Sequence, residues 1–288
     1  MHRPLTTSCV LILISLSSVL HNAVRASSPS AAVVPPAPDN TRKIPSLSRR
    51  AFFAAGTVTT LGGISEIYSR GFPRIGASPS VVGESYPSVP PGGTLTVVFH
   101  GAGGPDDYTA ELTKRLRRKG AVYFPDWTAY SGNTLRAAHD GTAIGRQVGR
   151  DVAARAAAGG GGPAAVHVIG ISVGAFPAQA VIDELTKLSG RQGGLVRPFL
   201  QATFLDPFLA RGLYEWGYGI DRFGLRADAA VQYLNTDDPV PFTNQPLSNC
   251  RTVDVTSLRP ENIFGHDWPL VYYSMSDEVG KIYYDKTS

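Results

Sequence analysis

From residue 94 onward, apolar runs of strand length alternate with longer stretches of helical spacing. Residues 94–99 (TLTVVF) read as a buried strand, and residues 106–119 as a helix with Tyr108, Leu112 and Leu116 spaced by four. Residues 121–124 form a short strand, and residues 134–158 an Ala- and Arg-rich helix stopped by Gly159–Gly162 and Pro163. Further strands are expected at 164–169 (AAVHVI), 198–205, 229–234 and 250–255, with a helix at 173–188 and a last helix at 275–284. Parallel strands need crossovers of about a dozen residues, and the helical stretches fill those intervals. The pattern predicts an α/β fold, a single domain whose mostly parallel sheet is covered by helices on both faces. An apolar fraction of 43% supports such a core, and only 17% charged residues excludes a disordered chain or a coiled coil. No stretch approaches 18 uninterrupted apolar residues, which excludes a polytopic membrane protein.

The first 77 residues read as an address. Residues 1–26 have the build of a secretory signal peptide, with His2 and Arg3 before an apolar core at 10–20. Ala23-Val24-Arg25-Ala26 offers small residues at cleavage spacing. Residues 27–77 form a transit-like segment with a twin-arginine-type signal. Residues 27–47 are rich in Ser, Pro and Ala and poor in acids, like a plastid transit segment. Ser48-Arg49-Arg50-Ala51-Phe52-Phe53 then precedes a weakly apolar run at 54–67, which resembles a twin-arginine signal, with Ile75-Gly76-Ala77 as its cleavage site. In that order these signals resemble the targeting of a thylakoid-lumen protein in an alga with a complex plastid. Simple secretion is the alternative. Residues 78–93, rich in Pro and Gly, are an extended lead-in to a domain spanning 94–288.

Charge follows the same division. Residues 1–77 hold 8 Lys/Arg against 2 Asp/Glu, and residues 78–288 hold 19 against 21. The mildly acidic remainder gives no electrostatic case for nucleic-acid binding. The two cysteines are Cys9 and Cys250, so a chain without its leader has no internal disulfide.

Gly170-Ile171-Ser172-Val173-Gly174 matches G-x-S-x-G, with a strand expected before it and a helix after. Such a turn lifts a serine hydroxyl clear at the carboxyl edge of the sheet, where a helix N-terminus favours a developing oxyanion. A serine hydroxyl is a poor nucleophile without a base; where the serine sits on such a strand–helix turn the base comes later in the chain, and of the six histidines only His266 follows Ser172. It lies in Phe264-Gly265-His266-Asp267-Trp268-Pro269, a loop after the last strand. The base in turn needs a carboxylate to fix its tautomer. Asp206 ends one intervening strand, and Asp238, with Asp237 beside it, ends the next. Both strand ends point to the carboxyl edge, and sequence physics does not choose between them. The acid not used is expected to cap a turn, as Asp before Pro commonly does.

Phe99-His100-Gly101-Ala102-Gly103-Gly104 follows the first strong strand. Glycines let backbone approach a substrate, so the N–H groups of Ala102 and Val173 are the candidate oxyanion donors. The loop has neither G-x-x-x-x-G-K-[ST] nor G-x-G-x-x-G spacing, which argues against a nucleotide site. His100 is expected to brace the loop.

These residues resemble the α/β-hydrolase superfamily and, more narrowly, the pancreatic-type triacylglycerol lipase family. The likeness rests on residues 167–175 (HVIGISVGA), on Asp126-Trp127, Tyr130 and Val148-Gly149 upstream, on Leu205-Asp206-Pro207, and on His266 with Tyr272-Tyr273. It implies an α/β-hydrolase domain with Asp206 as the acid. The family's disulfides are absent. Asp238-Pro239-Val240-Pro241 also resembles the acid motif of fungal-type lipases, which keeps Asp238 as the rival and Asp237 behind it.

Residues 208–225 include Phe208, Tyr214 and Trp216, candidate walls for an acyl group at the active edge. The expected function is a serine ester hydrolase acting on acyl esters or lipids, with peripheral membrane contact and no cofactor or metal. A non-catalytic binding protein on the same fold, or an acyltransferase or thioesterase with the same triad, are the alternatives.

Overall fold

The computed structural model describes residues 81–83, 85–158, 162–189, 196–212 and 215–284. The targeting expectations for residues 1–77, the glycines at 159–161 and the candidate wall residue Tyr214 lie outside them. In chain order the elements are β1 (Val82–Gly83), β2 (Thr94–Phe99), α1 (Asp107–Arg117), β3 (Ala121–Tyr123), β4 (Pro125–Asp126), α2 (Thr128–Ser131) and α3 (Thr134–Ala158). There follow β5 (Ala165–Ile171), α4 (Ala175–Ser189), β6 (Phe199–Leu205), α5 (Tyr218–Arg222), β7 (Ala229–Leu234), β8 (Arg251–Asp254) and α6 (Trp268–Met275).

Six strands form one sheet in the order β3-β2-β5-β6-β7-β8, and every neighbouring pair is parallel. β1 and β4 make a separate two-residue antiparallel pair. All seven residues of β5 are buried, as expected for a central strand covered on both faces. On one face Val166 and Val168 of β5 pack with Ala137, Ile144 and Val148 of α3 and Phe176 and Val181 of α4. On the other, Ile169 and Ile171 pack with Leu112 and Leu116 of α1 and Leu270 and Tyr273 of α6.

Local chemistry sets the helix positions. The Asp106 side chain accepts from the Thr109 N–H at 2.8 Å and caps α1, a contact worth about 1 kcal/mol. Helices α3 and α4 pack closely because α3 presents Gly141, Gly145 and Gly149 to its neighbour. A Cβ on Gly141 would lie 2.8 Å from the Pro177 ring, and one on Gly149 would lie 3.0 Å from Glu184 Cβ. Pro177 looks out of place for a helix in sequence, but it is only the third residue of α4. Its missing N–H is cheap in a first turn, and its ring fills the space Gly141 leaves.

The expected last helix at 275–284 is corrected. Helix α6 ends at Met275, the Ser276 backbone is extended, and Gly280 has φ +70. The following segment is laid across the sheet instead. Gln201 of β6 donates to the Lys281 carbonyl and accepts from the Tyr283 N–H, both at 2.8 Å. His167 on β5 is fully buried against the Thr203 hydroxyl at 2.8 Å, and burial pushes its pKa down to about 3, so it is neutral at physiological pH. The bonds to Gln201 anchor the C-terminal segment.

Candidate active site

The chain leaves the sheet in opposite directions from β2 and β5, which are neighbours. The carboxyl ends of two such strands form a crevice at a topological switch point, the place where parallel sheets bind ligands. The loop holding Ala102 follows β2, and Ser172 follows β5.

Ser172 has φ 53, a left-handed conformation that costs a non-glycine residue about 1–3 kcal/mol. It opens a 3-10 turn, Ser172–Gly174, that runs into α4. The two flanking glycines are required by contact. A Cβ on Gly170 would lie 2.7 Å from Ala175 Cα, and one on Gly174 would lie 2.5 Å from the Phe99 carbonyl oxygen. Only a residue without a side chain lets the strand, turn and β2 loop pass one another here. Ser172 is 2% exposed, and its hydroxyl has no hydrogen-bond partner. A pairing of this hydroxyl with a base is therefore not formed in this structure, as is common before substrate binds.

Ala102 and Val173 are both buried beside this crevice. Gly103 and Gly104, with φ +80 and +107, turn the β2 loop immediately after Ala102. His100 braces the same loop. Its Nδ1 donates to the Gly101 carbonyl at 2.8 Å, its ring stacks on Trp127, and the Trp127 indole N–H donates to the His100 carbonyl at 3.2 Å.

His266 lies in a short 3-10 turn, Gly265–Asp267, just before α6. Asn235 at the end of β7 donates to the Gly265 carbonyl at 2.9 Å, and Trp268 donates to the Val255 carbonyl at 2.7 Å. These bonds carry His266 to the ends of β6 and β7. There its Nδ1 meets two carboxylates, Asp238 Oδ2 at 2.7 Å and Asp206 Oδ2 at 3.0 Å. Both partners are acceptors, so Nδ1 carries the hydrogen, and Nε2 is the nitrogen that accepts a proton in the neutral ring. Asp237, the third candidate acid, is turned away and pairs with Arg259 at 3.1 Å.

The two carboxyls differ in support. Asp238 accepts from the Val240 N–H at 3.0 Å and from the Thr243 hydroxyl at 2.5 Å. Burial pulls its pKa up, but the hydrogen bonds from His266, Asp206 and Thr243 outweigh burial and hold it below the usual range. Asp206, at the end of β6 with φ 46, is fixed by its N–H donating to the Tyr233 carbonyl at 3.1 Å. Burial drives its carboxyl well above the ordinary value, and the neighbouring Asp238 adds to the rise. Burial opposes the His266 imidazolium, yet the two acids raise it to about 10. One polar atom from each of Asp206, Asp238 and His266 lies within 4.8 Å of the others. Each carboxylate is already at hydrogen-bond distance from Nδ1.

The candidate wall residues separate in space. Phe208 is buried, and its N–H donates to the Ser172 carbonyl at 3.1 Å, so it is tied to the serine turn. Trp216 is 60% exposed. Between them stands Phe242, which is 6.0 Å from each ring, centroid to centroid. Sequence reasoning missed Phe242 and Thr243 because they follow Asp238-Pro239-Val240-Pro241, which reads as an acid motif and nothing more. A signal was available: Asp accepting from the N–H two residues on is a common turn, and a nearby Thr often closes it. A separate cavity of about 590 Å³, lined by Tyr233, Arg251, Tyr272, Lys281 and Tyr283 among others, includes none of these site residues.

The sequence of residues 96–277 matches a family model described as the alpha/beta hydrolase family. Among solved structures, the chain is similar to a protein from Xanthomonas campestris pv. campestris assigned to the alpha/beta hydrolase superfamily. Identity is 15% and the TM-score 0.39, over 63% of this chain and 93% of that one. No curated protein matches the sequence.

Proposed function

The chain belongs to the alpha/beta hydrolase family, and on that premise we propose that it is a serine ester hydrolase acting on acyl esters, lipids among them. The observation that carries the reading is the arrangement at the carboxyl edge. A serine held at φ 53 on a strand–helix turn shares the sheet edge with a histidine whose Nδ1 is fixed by buried carboxylates. Fold alone would say only that hydrolysis is common in this family.

In this reading Ser172 Oγ attacks the ester carbonyl carbon as its proton passes to His266 Nε2. The carbonyl oxygen gains the negative charge, and the N–H groups of Ala102 and Val173 receive it. The tetrahedral intermediate expels the alcohol, which leaves with the proton from Nε2. Water then attacks the acyl carbon, giving one proton to His266 Nε2, and as the bond to Ser172 Oγ breaks Nε2 returns that proton to Oγ and the carboxylic acid leaves. The acids at Nδ1 keep the ring in the tautomer that leaves Nε2 basic. Phe208, Phe242 and Trp216 supply an apolar wall for the acyl group, and the exposed Trp216 offers a contact for a lipid surface. The preferred setting for this activity is a thylakoid lumen, with secretion as the alternative. A mature chain starting near Ala77 or Ser78 would support the lumen, and one starting near Ala26 or Ser27 would support secretion.

The test is labelling of the full chain and of Ser172→Ala with a tagged fluorophosphonate, which needs an activated serine but no guess at substrate. Labelling of the wild type alone is expected. A folded wild type that stays unlabelled would overturn the hydrolase reading and put a non-catalytic binding protein ahead.

A further inference from the structure

A triad needs one acid, and here two buried carboxyls meet one imidazole nitrogen. Asp206 Oδ2 and Asp238 Oδ2 lie 3.0 and 2.7 Å from His266 Nδ1, and all three side chains are nearly inaccessible to water. One N–H cannot neutralise two carboxylates. Two like charges confined in such a place do not both ionise at neutral pH; one keeps its proton.

We propose that Asp206 and Asp238 form a carboxyl pair carrying one proton and one negative charge, with the proton on Asp206, and that the pair rather than either acid alone orients His266. Geometry assigns the proton. Asp238 receives the Val240 N–H, the Thr243 hydroxyl and the His266 N–H, a set that suits an ionised group. Asp206 Oδ1 is buried without any hydrogen-bond partner, a costly position for a carboxylate oxygen and a tolerable one for a neutral acid. The opposite titration shifts of the two carboxyls agree with this division.

Among the described residues, the titratable and hydroxyl groups that contact the pair come from three places. From the end of β6 comes Asp206, from the end of β7 come Asp238 and Thr243, and from the turn before α6 comes His266. Asp237 spends its charge on Arg259. The pair gives the site a reserve. When Asp238 is removed, the repulsion that keeps Asp206 neutral disappears, and Asp206 ionises at hydrogen-bond distance from the same Nδ1. Both acids are positioning residues, since they act on the reaction through His266.

The inference deepens the hydrolase reading, and only its kinetic arm rests on that reading. The first arm is carboxyl ¹³C NMR of the full chain labelled at Asp, across a pH titration. One aspartic carboxyl is expected to be protonated at pH 7 in the wild type, absent in Asp206→Asn, and ionised in Asp238→Asn. Every Asp ionised at pH 7, or a protonated signal that survives Asp206→Asn, would overturn the pair. This arm decides the matter even if fluorophosphonate never labels the protein. The second arm compares labelling rates. Each single Asn variant is expected to lose about 10–100-fold, and the double variant about 10⁴-fold, the usual cost of a missing orienting acid. A folded single variant as slow as the double would show that one acid acts alone, and would overturn the proposal.

Discussion

Gly174 and Phe99 touch where the serine turn passes the loop after β2: a Cβ on Gly174 would lie 2.5 Å from the Phe99 carbonyl oxygen and 2.7 Å from that of His100. Both obstacles are backbone, so neither can swing aside. Gly174→Ala must therefore separate the turn carrying Ser172 from the loop carrying Ala102. Overpacking of this kind costs about 1–3 kcal/mol. If the Ala102 N–H serves the oxyanion, as the proposed reaction has it, displacing that donor costs about 10²–10³ in rate. Labelling rate and thermal melting are both expected to fall, and a variant that melts normally while losing labelling would localise the damage to the contact between the Ser172 turn and the Ala102 loop.

Gly145 makes a still closer approach elsewhere, with its missing Cβ directed at the Pro177 backbone of α4. Gly145→Ala is expected to push α3 off α4 and destabilise the domain by about 1–3 kcal/mol, with a Tm lower by about 2–12 °C. Gly132 has no atom within 4 Å of its would-be Cβ and an ordinary φ, so Gly132→Ala is the control. Equal melting of the two variants would refute the packing account.

The central sheet was readable because each apolar run had strand length and the intervals before β3, β5 and β6 held helix-length stretches. β2 at 94–99 and β7 at 229–234 fall where those runs predict. The candidate nucleophile was readable for the same reason, since its motif is a strand–helix turn with contact-required glycines. The end of the chain was not. Its apolar residues suggest a helix at 275–284, but Gly280, a stop signal outweighed there by those apolar residues, and the distant bonds to Gln201 decide the path, and the latter have no local signature. The acid was ambiguous in sequence because two strand ends, at Asp206 and Asp238, do converge on one histidine. Only the support each receives, such as the bond from Thr243, separates them, and that support is tertiary.

Trp216 and Phe208 should respond differently to substitution. Trp216 is 60% exposed, so Trp216→Ala is expected to leave stability within about 0.5 kcal/mol of wild type. If it forms part of an acyl wall, hydrolysis of a long-chain p-nitrophenyl ester falls several-fold while that of the acetate does not. Phe208 is buried beside the serine turn, and Phe208→Ala should cost about 3–5 kcal/mol and depress both substrates. Equal losses on both esters in Trp216→Ala would remove the wall reading.

Thr243 tests the support of Asp238. Its hydroxyl donates to Asp238 Oδ2 at 2.5 Å, and Thr243→Val removes that donor while keeping the shape. The loss should cost about 1–3 kcal/mol at pH 7. Asp238 has a depressed pKa in the folded state, so its contribution is present above the unfolded value of about 3.9 and is lost as pH falls through the folded pKa. The gap between wild type and variant, read by urea unfolding, is expected to hold from pH 7 to about 5 and to close below about 4. A gap independent of pH would show that the hydroxyl acts on the turn alone.

The histidine gives the opposite sign. Burial lowers the His266 pKa, but the hydrogen bonds and charge of the Asp206–Asp238 pair outweigh it and raise the pKa to about 10. A raised pKa stabilises the fold fully below the unfolded value of about 6.5, and the contribution fades as pH rises through the folded pKa. The stability advantage of wild type over His266→Gln, a few kcal/mol at pH 6 on this basis, is therefore expected to shrink between about pH 6.5 and 10. Activity should move the other way. On the proposed hydrolase reading Nε2 accepts the Ser172 proton only in the neutral ring, so kcat/KM is expected to climb with pH above 6.5, where a free imidazole would already have levelled off. Urea unfolding of both proteins at pH 6, 8 and 10, beside a pH–rate profile of the wild type, checks both trends. A profile already flat at pH 7 would show that the acids do not raise the base.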